Sequence, residues 1–226
     1  MTVLEMHIAV QLELDKSSSF QLAAFEPEDI DFWLNEAQTE LVKRKAFGNN
    51  YRQEEFDSSI KRMEDLTTLV KESSELSPTA HAYYTNVDMF TLPADYMFLV
   101  GGTCKLTIGD KVDKLSECQV VKRNEIGNLV ETIFNKPFLS NPYIYLADSK
   151  INVISDPFAT VSAFRCRYIK KPGTLVRTAP GTGQVTTSEL PLQVHPELVA
   201  LTTFLMLENI ESQRLQTNQL ILNSKE

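Results

Sequence analysis

Histidines are the side chains best suited to proton transfer or metal binding near neutral pH. This sequence has three, His7, His81 and His195, which lie far apart and in unlike settings. None is spaced as in a helical zinc motif such as HExxH, and His195 has no recognisable nucleophile or acid beside it. We therefore predict that His195 is the entry residue of a helix rather than a general base.

Two other short patterns could carry chemistry, and each has a simpler explanation. Gly181-Thr182-Gly183 is followed by no Gly-Lys-Ser/Thr, so it indicates a flexible loop rather than a phosphate-binding loop. Asp29 and Asp31 could form a catalytic carboxylate pair. However, acids at the start of a helix are expected from the helix dipole.

The cysteines give no sign of a metal or redox centre. They are Cys104, Cys118 and Cys166, which are widely spaced and include no CxxC motif. This pattern indicates reduced, mostly buried thiols. With no nucleophile elbow of the GxSxG type either, the sequence predicts a protein that is not an enzyme and that needs no metal or cofactor.

A basic cluster is the pattern with the clearest potential for binding. Its members are Arg165, Arg167, Lys170 and Lys171. Two arginines on one strand face form a rigid set of donors that suits an acidic partner surface, although charge can also simply protect an edge strand from aggregation. The chain carries an acidic surface of its own, and Asp29 and Asp31 belong to it. A head-to-tail contact in a ring would pair the two surfaces.

The overall charge argues against tight nucleic-acid binding. Residues 1–80 contain 16 acidic and 8 basic residues, whereas the rest of the chain is balanced, so the net charge of −8 comes from the first third. Tight binding needs Lys and Arg to neutralise phosphates. The acids could be solvated helix faces or a surface that repels its partner. No apolar run is long enough to span a bilayer, and the acidic N-terminus does not resemble a signal peptide, so we expect synthesis in a cytoplasm.

The positions of apolar residues predict helices at both ends of the chain. Residues 3–16 fit a helix better than a strand. Residues 26–47 and 52–76 have apolar side chains at helical spacing, and Pro196 with Glu197 suits the first turn of a final helix. Between them, residues 80–180 contain strand-like runs, including a hairpin around Asp148 and one short helix from Asn124 to Phe134.

The resulting prediction is an α+β fold. A helical bundle from the N- and C-terminal helices would carry an inserted antiparallel β-rich region. The predicted segments are 1–79 for the N-terminal helices, 80–180 for the β-rich insert, and 190–226 for the C-terminal bundle helix and tail.

Four stretches in order resemble a known family of virion proteins. They are MTVLEMHIAVQLELDKSSS, EPEDIDFWLNEAQTELVKRKAF, YIKKPGTLV and LPLQVHPELVALTTFLMLENIESQRL. Together they resemble the head–tail connector, or adaptor and ring, proteins of short-tailed phages, especially those of the crAss-like group. The resemblance covers both ends of the chain and part of the middle, and it rests on structural motifs rather than catalytic ones.

The resemblance implies a virion structural protein at the head–tail junction. Such adaptors form a homo-oligomeric ring, commonly of twelve copies, beneath the portal protein. The ring extends the DNA channel, contacts downstream tail proteins and lets DNA pass without specific binding. A C-terminal tail often reaches the portal. Apolar residues beyond the last predicted buried turn suit that role, although the same residues could also belong to a frayed terminus. The predicted portal-docking residues are Gln213, Leu215, Leu220, Ile221 and Leu222.

A second function remains open from the sequence alone. The chain could be a non-catalytic ligand- or peptide-binding accessory domain. Its β pocket would then be lined by Tyr83, Tyr84, Phe90 and Tyr96.

Overall fold

The computed structural model describes residues 1–18, 25–47, 60–81, 86–109, 111–127, 137–138, 141–177 and 184–209. The chain divides into two compact units. The terminal unit comprises Met1–Leu69 and Lys171–Glu226, and the central unit comprises Val70–Lys170.

The terminal unit contains four described α-helices. They are α1 (Val3–Ser18), α2 (Pro27–Phe47), α3 (Ile60–Leu66) and α4 (His195–Asn209). Helix α2 begins at Pro27 and has basic residues in its last turn, both of which suit the helix ends they occupy. The predictions of helices over residues 3–16 and 26–47 and of a helix entered at His195 are confirmed.

Helix α1 turns a different face to the core than its spacing suggested. Leu4, Ile8 and Leu12 form the expected helical stripe, yet all three are exposed. The buried face consists of Val3, Met6, Val10 and Leu14. Both stripes have helical spacing, so periodicity predicted the helix but not the side that packs.

The predicted helix over residues 52–76 is wrong in its second half, while residues 52–59 lie outside the described part. Helix α3 ends at Leu66, and strand β1 (Val70–Glu72) follows after a turn. Thr67 Oγ1 donates to the carbonyl of Met63 at 2.6 Å, a bond that Thr makes in place of helix continuation. Val70 then pairs with Ile169 in a sheet.

The central unit is built on an eight-stranded sheet. Its other strands are β2 (Thr79–Ala80), β3 (Val87–Thr91), β4 (Tyr96–Ile108), β5 (Lys111–Val120), β6 (Tyr143–Ala147), β7 (Lys150–Ile154) and β8 (Thr160–Lys170). The strand order is β1-β8-β4-β5-β6-β7-β3-β2. All pairs are antiparallel except β5–β6, which is parallel because the chain crosses back between those strands instead of forming a hairpin.

The sheet curls so that its two halves enclose one core. Phe90 on β3 and Phe164 on β8 are five strands apart in the sheet, which corresponds to roughly 24 Å in a flat sheet. Their ring centroids are only 5.2 Å apart. Leu106, Ile144 and Val153 belong to the same buried cluster, so both halves contribute to it.

The predicted fold class, a helical bundle with an inserted antiparallel β-rich region, is therefore wrong. The dominant element is a curled mixed sheet, with a parallel pair that was not predicted. Its first strand, β1, comes from a segment predicted to be helical. The four described helices belong to the terminal unit, which also contains a two-stranded parallel ribbon of β9 (Thr174–Leu175) and β10 (Gln184–Val185).

Two adjacent glycines lie inside the longest described strand of the sheet. Strand β4 continues through Gly101 and Gly102, with a register shift nearby. A Cβ built on Gly102 would lie 2.2 Å from Cζ of Phe164. Glycine at this position therefore lets the Phe164 ring lie directly over the strand.

The predicted hairpin around Asp148 is confirmed as β6–β7. Its two turn residues, Asp148 and Ser149, have φ values of 53° and 57°. Positive φ at both positions characterises the tight turns that match strand twist. Of the predicted 124–134 helix, the structure describes only residues 124–127. They form the end of a 3-10 turn over Arg123–Glu125 and two further helical residues.

Candidate interaction surfaces

The predicted basic cluster lies at the end of β8, where Arg165 and Arg167 point to the exposed side of the sheet. Both arginines contact acids of the same unit. Arg165 Nη2 lies 2.8 Å from Glu75 Oε1, which also contacts Lys105 at 2.6 Å. Arg167 pairs with Glu117 across β4. The face therefore carries a row of ion pairs rather than a purely positive patch. The neighbouring cations lower the pKa of Glu75.

The other predicted interface residues lie in unlike environments. Lys170 is half-buried at the end of β8, whereas Lys171 and Asp29 are exposed. Asp31 faces into the terminal unit, where Oδ1 contacts His7 Nε2 at 2.7 Å and Oδ2 accepts from the backbone N–H of Arg177 at 3.1 Å. The two acids predicted together thus have different roles, because two positions along a helix are about 200° apart around its axis.

Asp31 begins a row of polar side chains on α2 that holds an extended segment. Asn35 accepts from the backbone N–H of Leu175 at 2.7 Å and donates to its carbonyl at 2.8 Å. Gln38 donates to the carbonyl of Gly173 at 3.0 Å. Asp31, Asn35 and Gln38 follow helical spacing, so one face of α2 binds main chain instead of apolar side chains. We call these three residues the α2 clasp.

His195 is a buried structural residue. Its Nε2–H donates to the carbonyl of Leu190 at 2.9 Å, and its Nδ1 accepts from the Met1 amino group at 2.8 Å. Burial is the largest influence lowering the pKa of His195, and the positive Met1 amino group also lowers it. A neutral imidazole with both nitrogens engaged suits a helix entry, as predicted, and leaves no nitrogen available for a substrate.

The densest charge cluster in the terminal unit was not predicted. Lys45 Nζ lies 3.1 Å from Asp65 Oδ2 and 2.9 Å from Glu197 Oε2, with all three side chains nearly buried. Gln193 donates to the other oxygen of Asp65 at 3.0 Å. Burial is the largest influence on Lys45 and lowers its pKa, but the two carboxylates together raise it above its usual value. The cluster ties α2, α3 and α4 together by charge.

The three cysteines meet on one face of the sheet although they are distant in sequence. Cys118 and Cys166 both pair in register with Gly102, from opposite sides, and Cys104 follows two residues later. All three are free thiols, and two are buried, as predicted. Burial raises the pKa of Cys166 to about 12, and a hydrogen bond with Cys104 raises that of Cys118. The same hydrogen bond with Cys118 lowers the pKa of Cys104. Raised pKa values favour the protonated form of Cys118 and Cys166, which is a poor nucleophile and metal ligand.

The two described members of the predicted aromatic pocket belong to the packing of the central core. Phe90 is fully buried in the core, and Tyr96 packs against Tyr168 with ring centroids 6.0 Å apart. Tyr83 and Tyr84 lie outside the described residues. The described part of the central unit instead has a cavity of about 690 Å³ over β3, β6 and β7, lined by Val87, Met89, Tyr145 and other residues.

Two further classes of site are missing from the described residues. The described residues contain no group of three or more His, Cys, Asp or Glu placed to hold a metal ion. Among the same residues, no helix is both long and apolar enough to cross a bilayer.

A comparison with protein families identifies the chain. The family described as phage tail ring protein 3/4, of the crAss type, matches residues 1–219. The chain belongs to this family. The predicted resemblance to ring proteins of crAss-like phages is confirmed. This tail ring protein is therefore a structural component of the phage virion, in an oligomeric tail assembly with other phage proteins. No curated protein matches it.

Proposed function

We propose that this tail ring protein forms a ring at the portal–tail junction, where it extends the DNA channel and docks downstream tail proteins. The family match over residues 1–219 carries the proposal. A non-catalytic role agrees with the engaged His195 and the protonated Cys166. A ring of twelve copies is the expected assembly. The test is the mass of the purified protein with and without portal: a twelve-copy ring on the portal supports the proposal, and a monomer indifferent to portal contradicts it.

The proposed ring contact joins the basic cluster of one copy to the acidic surface of the next. Arg165 and Arg167 are accessible on their sheet face, although Glu75 and Glu117 already contact them. Acids of a neighbouring copy would add ion pairs to this row. Such pairs contribute more to the relative orientation of the two copies than to their affinity. Asp29 is the exposed member of the predicted acidic pair.

Neutral substitutions test this contact without creating new repulsion. A glutamate at position 165 would face Glu75 inside the same chain, so Arg165→Gln with Arg167→Gln is the better variant. We expect weaker ring assembly on the portal, with an unchanged circular dichroism spectrum. Lys114→Gln, at an exposed basic residue of the same unit, is the control. Rings that form equally well from the double variant would exclude the contact.

The acidic first third suits a channel through which DNA slides. Negative walls repel phosphates, so DNA would pass without being held. We expect the assembled ring to retain no duplex DNA even at low ionic strength, where any attraction would be strongest. Retention of DNA in a gel-shift assay, weakened by added salt, would contradict this role.

The proposed portal-docking residues follow α4 and lie outside the described residues. They are Gln213, Leu215, Leu220, Ile221 and Leu222. We expect a chain that ends at Arg214 to lose attachment to the portal while its thermal unfolding stays nearly unchanged. Full attachment of the truncated chain, measured by co-sedimentation with portal, would rule out this docking site.

A further inference from the structure

Phe158 is the most exposed large apolar side chain in the described part of the chain, with 87% of its surface accessible. It lies on the turn between β7 and β8. Single exposed apolar residues are common and need no explanation by themselves. The construction of this turn distinguishes Phe158 from the others.

The turn holds the Phe158 backbone in a fixed position. Asp156 Oδ1 accepts from the N–H of Phe158 at 2.9 Å, and the N–H of Ala159 donates to the carbonyl of Asp156 at 2.9 Å. Ser155 is buried on one side of the turn, and its N–H donates to the carbonyl of Asn86 at 3.1 Å. Pro157 restricts the backbone further. A partner that binds this ring would therefore lose little conformational entropy.

The same unit carries a cavity with the complementary chemistry. Its volume of about 690 Å³ lies within the range of ~300–1,000 Å³ for pockets that bury a ligand. Val87 and Tyr145 provide apolar lining, and Arg123 and Lys150 provide positive charge beside one acid, Asp148. Within the described ranges, neither Arg123 nor Lys150 has an ion-pair partner.

We propose that the turn Asp156-Pro157-Phe158 of one copy inserts into this cavity of a second copy. The Phe158 ring contacts the apolar lining, and the Asp156 carboxylate lies near Arg123 and Lys150. The described part of each chain carries both this turn and this cavity, so each copy gives a turn to one neighbour and receives one from the other. Contacts of this head-to-tail kind close into rings when the rotation between copies allows it. The inference rests on the proposed ring and adds a second contact between its copies.

Cross-linking in assembled tails tests the contact directly. Phe158→Cys and Met89→Cys place one thiol on the turn and one in the cavity. After mild oxidation, tails carrying both changes should give a ladder of linked copies, while either change alone should give none. Absence of a ladder overturns the proposal. Dimers from Phe158→Cys alone, or a link to a different protein, also overturn it, because they reveal a symmetric contact or another occupant.

Mixing two defective variants tests the head-to-tail arrangement. Phe158→Ser removes the ring from the turn, and Ala147→Trp fills the cavity, which Ala147 lines. Each variant should lose ring assembly, yet an equal mixture should give a dimer, because one intact turn still meets one intact cavity. Leu115→Ser, at another exposed apolar residue of this unit, should assemble normally.

The two proposals fail in different ways. Normal rings from Phe158→Ser overturn the turn-and-cavity contact and leave the proposed ring function intact. Failure of the unaltered chain to form rings with portal overturns the proposed function itself. A mixture that stays monomeric overturns the contact even if both single variants fail to assemble.

Discussion

The α2 clasp predicts that Asn35 is worth far more to stability than a polar helix residue usually is. Asn35→Ala removes two hydrogen bonds of 2.7 and 2.8 Å to the backbone of Leu175, which is fully buried. Leaving a buried backbone group without a partner costs about 1–3 kcal/mol. Two such groups cost about 2–6 kcal/mol together. Ala favours a helix more than Asn by about 0.6 kcal/mol, so the expected loss is about 1.5–5 kcal/mol.

The chain supplies its own probe for this measurement. Trp33 is its only tryptophan, and it lies on α2, so its fluorescence during urea unfolding reports on the terminal unit. With a urea dependence of about 2 kcal/mol/M, the midpoint of Asn35→Ala should fall by about 0.7–2.5 M. Asn35→Asp should also destabilise the unit. It keeps the acceptor for the Leu175 N–H but places a carboxylate oxygen, which cannot donate, against the Leu175 carbonyl.

A neighbouring exposed residue provides the matched control. Glu36 is exposed on the same helix, so Glu36→Ala should change the free energy of unfolding by less than about 0.5 kcal/mol. If the Asn35→Ala midpoint lies within about 0.2 M of this control, given the same urea dependence, the clasp does not stabilise the unit and the reasoning is wrong.

Four further predictions concern stability. Gly102→Ala should destabilise the central unit by about 1–3 kcal/mol, because the Phe164 ring occupies the space that a Cβ would need. Gly101→Ala should not, because the nearest atom to a Cβ at that position is 3.8 Å away. Exchange of β4 amide hydrogens with deuterium would show the difference. Lys45→Met should cost about 3–5 kcal/mol by Trp33 fluorescence, because two nearly buried carboxylates lose their cation, while the same change at the exposed lysine two residues earlier should have little effect. Ser149→Gly should raise the free energy of unfolding of the central unit by about 1 kcal/mol, because glycine adopts the positive φ of this position without strain. Its urea midpoint should rise accordingly, and an unchanged midpoint would contradict this. Burial, the largest cause, lowers the pKa of His195 in the folded chain. The unfolded chain therefore binds a proton at His195 at higher pH than the folded chain, and the free energy of unfolding should fall as pH drops below about 6.5. His195→Gln should reduce this fall in stability between pH 7.5 and 5.5.

Local sequence patterns predicted an element correctly where only one kind of secondary structure was compatible with the pattern. The 26–47 helix has proline and acids at its start and cations at its end, so both ends agreed with its apolar spacing. The β6–β7 hairpin combines two β-rich runs with a short polar turn. Phage tail ring membership was also predictable, because it depends on motif order rather than on three-dimensional packing.

The errors came from choices that depend on the rest of the fold. Helix α1 has two apolar stripes, and only tertiary packing selects the one that contains Val10 over the one that contains Ile8. Val70 fits a helix by spacing but pairs with Ile169, a residue 99 positions later. The reason for glycine at position 102 is also not local, because the space is filled by Phe164 on another strand. Likewise, nothing local places Lys45 beside Glu197.

The α2 clasp also constrains how the family can change over time. Because Asn35 and Gln38 bind the main chain of the segment around Leu175, they recognise its backbone and not its side chains. The exposed Thr174 can therefore be replaced without loss, whereas Asn35 has no substitute that both donates and accepts at the same reach. Among related phages, we expect the sequence of the bound segment to vary, while the helix that holds it keeps the same residues at these two positions.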